Sequence, residues 1–236
     1  MMPTFERRTF RYAAALGGAV IAIALGAPRF LAAQQSNAPL AALSASARSA
    51  IYASADSLRA KGLPGDALVA KAAEGLLKGA TEDRIVVVVH RLAADLRGAA
   101  AALGSDASPG EIVAAAGALR AGASADAVRQ LRSAAGPART VPRRPLTVAL
   151  VVLGDLVSRG APPAVAVGSV TSLLARHASD DDLQVLRVAV ERDIDAGNDP
   201  AAAAAARSRA LADSLAAGSA PRAPRPVTAP PRGARP

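Results

Sequence analysis

Few residues in this chain have the types and spacing to do chemistry. His90 stands with Arg91 and Asp95, and His177 is followed by Asp180, Asp181 and Asp182. An imidazole beside a carboxylate can do general acid–base work, and grouped carboxylates can hold a hard cation such as calcium. Each group also has a plainer explanation. Acidic side chains favour a helix N-terminus, Ser179 and Asp182 have capping-box spacing, and His177 falls at a helix C-terminus, where positive charge is favoured. His90 lies inside a helix, so catalysis there needs a partner from another helix. Glu74 and Lys78, four apart, read as a helix-surface ion pair, with Lys71 on the same face as Lys78. There is no Gly-rich phosphate loop, nucleophile elbow or zinc-binding helix motif. No catalytic, cofactor or metal residue is assigned.

The elements that would have to position these residues repeat one grammar: helix, glycine, short corner, helix. Gly62-Leu63-Pro64, Gly79-Ala80-Thr81, Gly122-Ala123-Ser124 and Gly160-Ala161-Pro162 share it. Glycine supplies the left-handed position just past a helix, the next residue folds back on the last turn, and the third suits a helix start. Gly104 to Pro109 and Gly197 to Pro200 read as looser corners. Gly62 to Gly79 is 17 residues, Gly104 to Gly122 is 18, and the later intervals are about double. A period near 18, or 38 to 42 for a helix pair, lies in the range of helical-hairpin repeats. The fold expected is all-α, with about nine short-to-medium helices arranged as an irregular α-solenoid or a bundle in two halves.

Apolar residues recur at helical spacing within each segment. The inward faces expected are Leu40, Leu43, Ala47, Ile51 and Leu58 in the first helix, and Leu68, Ala72 and Leu76 in the second. Ile85, Val88, Val89, Leu92, Leu96 and Leu103 mark the third. Val86 to Val89 alone would suit a strand, but the acidic start Glu82-Asp83 and the longer period indicate a helix. Ser108-Pro109-Gly110-Glu111 is a capping box opening a helix that carries Ile112, Val113, Ala116 and Leu119. Val128 and Leu131 mark a short fifth helix. The segment 146–158 is apolar all round, as befits a central helix. Val167, Val170, Leu173 and Leu174 follow, then Leu183, Leu186, Val190 and Ile194, then an alanine-rich helix with Leu211 and Leu215.

The remaining segments are of another kind. Residues 1–33 read as an export signal: Arg7, Arg8 and Arg11 precede a small, apolar run of about 16 residues, with Ala32-Ala33 offering a cleavage site. That run is shorter than the roughly 20 residues of a membrane span. Arg7-Arg8-Thr9-Phe10 resembles a twin-arginine signal, which carries folded proteins, although Glu6, Arg11 and Tyr12 depart from its usual neighbours. The route, general or twin-arginine, stays open. Residues 136–145 contain three prolines and divide a subdomain at 34–135 from one at 146–217. Residues 218–236, mostly Pro, Arg and Ala, favour an extended, solvated tail.

Composition narrows the functions available. The chain has no cysteine, so disulfides and thiolate metal ligands are excluded. Beyond residue 33 one aromatic remains, Tyr52, leaving nothing to build a stacking platform for sugars or single-stranded nucleic acid. Of the formal charge of +9, +3 lies in 1–33, +3 in the linker (Arg139, Arg143, Arg144) and +4 in the tail, so the helices carry about −1. A basic groove for nucleic acid is absent from them. The expectation is an exported, non-catalytic scaffold or binding module of the periplasm or cell envelope, periplasmic or extracellular, without a membrane span after signal cleavage. Its partner would be an envelope protein or an anionic envelope polymer, contacted by Arg222, Arg225, Arg232 and Arg235 in the tail. The alternative is an exported enzyme using His90 or His177.

Overall fold

The computed structural model describes residues 40–136 and 144–219. The expected signal, most of the linker, and Arg222, Arg225, Arg232 and Arg235 lie outside these residues. Among the described residues there are nine α-helices and no strand: α1 (Ala45–Arg59), α2 (Asp66–Leu77), α3 (Glu82–Leu103), α4 (Pro109–Ala121), α5 (Ala125–Ala134), α6 (Thr147–Ser158), α7 (Pro163–Leu174), α8 (Asp180–Asp195) and α9 (Pro200–Ser219). Val86 to Val89 lie within α3, as the acidic start and the longer period require. No described helix is long and apolar enough to cross a membrane.

The corners share one hydrogen-bond pattern. At Gly62, Gly79, Gly122, Gly160 and Gly197 the backbone turns left-handed. The next residue's N–H reaches back five residues at 3.0 Å: Leu63 to Leu58, Ala80 to Gly75, Ala123 to Ala118, Ala161 to Leu156 and Asn198 to Asp193. This is the Schellman stop, which satisfies carbonyls that the helix end would leave bare. The Gly197 corner, expected to be looser, has the same bonds. A sixth corner is built without glycine: His177 adopts φ 57, and Ala178 N–H donates to the Leu173 carbonyl at 3.0 Å.

The first helix starts later than its apolar spacing implies. Leu40 to Leu43 form a tight turn closed by Leu43 N–H on the Leu40 carbonyl, and Ser44 caps α1 by accepting from Ala47 N–H at 3.2 Å. Leu40 and Leu43 are nonetheless buried. Every expected inward residue from α5 to α8 is buried or partly buried. Val113 on α4 is 43 % exposed.

The substantial helix pairings run only between helices one or two places apart along the chain. The odd-numbered helices α1, α3, α5, α7 and α9 pair in succession, as do α4, α6 and α8. The broadest contact, α4 on α6, spans residues 137–143, and buried residues from both sides of that segment form one core. Gly154 permits it, because a Cβ there would lie 3.2 Å from Ala118 Cα.

Polar ties repeat the same step. Glu82 on α3 accepts from Ser44 N–H at 2.7 Å, 38 residues back, and Leu146 N–H donates to Glu111 at 3.0 Å across 35. Ser169 Oγ donates to the Ala204 carbonyl across 35 residues, and Arg176 to the Ala212 carbonyl across 36. Arg159 pairs with Glu191 across 32, and Arg187 reaches Asp155 across 32. These separations run from 32 to 38 residues, so only the Ser44–Glu82 tie matches the helix-pair period of 38 to 42 and the others fall a few residues short of it.

Candidate functional site

His90 is exposed on α3, and His177 is exposed at the corner between α7 and α8. Asp180, Asp181 and Asp182 form the first turn of α8. Ser179 caps that turn: Asp182 N–H donates to Ser179 Oγ at 3.1 Å, and Asp182 Oδ2 accepts from Ser179 N–H at 2.7 Å. The Ser179 hydroxyl also donates to Asp182 and holds its carboxyl below the ordinary aspartate range. Among the described residues no group of three or more His, Asp or Glu is placed to hold a metal ion.

Arg144, counted by sequence among the flexible basic residues, belongs to the fold. Its guanidinium donates to the Ala178 carbonyl and pairs with Asp180, so it ties the linker's end to the His177 corner. Sequence reasoning missed this because a Pro- and Arg-rich stretch carries no helical period to mark which residue turns inward.

Two surface concavities carry more than isolated groups. The first is a groove of about 530 Å³ between α4 and α6. Ala114, Gly117, Ala118 and Gly154 make its floor, Val113 and Val151 line it at 43 % and 41 % exposure, and Arg120 and Asp155 add one charge of each sign. The close approach at Gly154 leaves the floor nearly free of side chains. The groove's small-residue floor leaves room above it, and the two exposed valines present apolar surface to water. Val113 and Val151 are 38 residues apart in equivalent helices, so the surface follows the repeat. The sequence signal was present in the alanines and glycines of α4, but a 3.6-residue period does not by itself mark Val113 as lining a groove.

The second is a cleft of about 410 Å³ between α2 and α3, lined by Lys71, Glu74, Lys78 and Arg84 around Gly75, Ile85 and Val88. The expected Glu74–Lys78 pair is present at 2.5 Å, and Lys71 adds a second bond to Glu74 at 2.7 Å. These bonds, Lys71's first, lower the Glu74 carboxyl to about 2. Neither histidine lines either concavity.

Comparison of the chain with protein-family models, with curated proteins and with solved structures gives no match.

Proposed function

We propose that the chain is an exported, non-catalytic helical repeat module that docks a partner protein of the periplasm or cell envelope. The observation that carries this reading is the α4–α6 groove, where two half-exposed valines stand over a floor of alanine and glycine. The occupant it suits is an apolar helix whose larger side chains fill what the small residues leave open. Arg120 would help fix its direction by pairing with an acidic side chain, Asp155 being already reached by Arg187. Helices that pair only with near neighbours suit a stacked repeat, in which each pair extends one continuous surface. The arginines of the tail would speed encounter with an acidic partner and give that step its salt dependence.

The test is quantitative capture from envelope extract by the full chain and by a Val113→Asp, Val151→Asp variant. Both positions are exposed, so the variant keeps its fold, which circular dichroism checks. One defined partner, lost with the variant and mapped to an apolar helix, supports the reading. Equal capture by both proteins contradicts it. Sequencing the N-terminus of the exported protein tests the signal, with cleavage after Ala33 expected.

A further inference from the structure

We propose that the cleft between α2 and α3 binds a small amphiphilic phosphate monoester, with Lys71, Lys78 and Arg84 on its oxyanion and Ile85 and Val88 against its apolar stem. Three cations and one carboxylate line this cleft, leaving it two positive charges in excess. Glu74 is bonded to both lysines and stays ionised at neutral pH, so it orients Lys71 and Lys78 while neutralising one charge. Among the described residues Arg84 has no ion-pair partner, and its planar fork matches a phosphate's geometry. A phosphate monoester carries about −1.5 to −2 at pH 7, which balances the excess; a carboxylate supplies only half of it. The apolar part of the cleft has its own structural cause. A Cβ at Gly75 would lie 2.8 Å from Ile85 Cγ1, so glycine lets α2 pack closely on α3 at the cleft, where Ile85 and Val88 give the lining its apolar part.

The ester could be a soluble metabolite or the headgroup of a membrane lipid, and the test separates the two. Calorimetry on the full chain would use hexyl phosphate, inorganic phosphate and hexanol. Vesicles of phosphatidylcholine with and without phosphatidic acid form the second arm. The expected result is one hexyl phosphate per chain, weaker inorganic phosphate and no hexanol. Lys78→Ala with Arg84→Ala should weaken hexyl phosphate by about tenfold or more, as loss of charge-assisted bonds implies. Glu74→Gln should tighten it, because a carboxylate no longer opposes the anion. Vesicle binding that falls in the double variant identifies a lipid headgroup as the source; vesicle binding unchanged, with hexyl phosphate lost, identifies a soluble ester. Hexyl phosphate binding that survives the double variant would place the anion on the basic tail and overturn the proposal. Hexanol binding as tightly, or no binding at millimolar ester, would overturn it as well.

Discussion

The carboxylate of Glu111 joins two helix starts: one oxygen accepts from Ser108 N–H at 2.8 Å, the other from Leu146 N–H at 3.0 Å. Glu111 is 1 % exposed. It therefore completes the capping box of α4 and serves the N-terminal residue flanking α6, 35 residues on. Glu111→Ala leaves both amides without this acceptor, and unpaired buried donors are costly. The expected loss is about 2–4 kcal/mol in urea unfolding. Glu111→Gln keeps an acceptor and should lose less.

His177 occupies a backbone position that every matching corner gives to glycine. A left-handed residue with a Cβ costs about 1–2 kcal/mol, partly offset in a glycine variant by its freer unfolded chain. His177→Gly should stabilise by about 0.5–1 kcal/mol, read as a higher urea midpoint. Loss of stability would mean that the imidazole makes a contact that holds this corner.

The glycine corners were legible because one residue type alone suits φ between +68 and +107, and the helices followed from apolar spacing between those stops. The His177 corner was hidden for the same reason, since no glycine marks it. The period near 38 was also legible, but its physical content was not. Sequence gives the Ser108–Glu111 box as a local motif, whereas Glu111's second bond depends on α6 returning to α4. The exposure of Val113 was not legible, because apolar period cannot distinguish a residue that faces the core from one lining an open groove. The charges of α2 were legible as an ion pair; Arg84 joins them only through the fold.

The acid limb of the titration should report Glu74 directly. Its folded value lies below the ordinary one, so the unfolded chain binds more protons in that interval and stability rises with pH there. Its contribution is present above about 4.5 and is lost as pH falls through about 2. Carbon-13 NMR of the side-chain carboxyl should give a midpoint near 2. Lys71→Ala removes the leading cause and should raise that midpoint toward 4.5. An unchanged midpoint would show that the lysines do not hold this carboxylate in solution.

Gly154 should be intolerant of size. A Cβ there meets Ala118 Cα at 3.2 Å, closer than packed backbone easily allows. Gly154→Ala should cost about 1–3 kcal/mol by forcing α4 and α6 apart, and Gly154→Leu should cost more. By contrast, a Cβ at Gly117 meets nothing within 4 Å. Gly117→Ala should leave stability equal or slightly higher while narrowing the groove, measurable as a reduced partner affinity in a protein whose melting point has not fallen.

The most direct test of the docking reading is site-specific cross-linking in the full chain. A photoreactive residue at position 151 is compared with one at 130, since Gln130 is exposed on α5 and does not line the groove. The second comparison changes Arg222, Arg225, Arg232 and Arg235 to serine. The expected result is a single partner adduct from position 151, mapped to an apolar helix of that partner and retained in the arginine variant at low salt. Position 130 should give none. Equal adducts from both positions, or an adduct abolished by the arginine changes alone, would contradict a groove-centred docking surface.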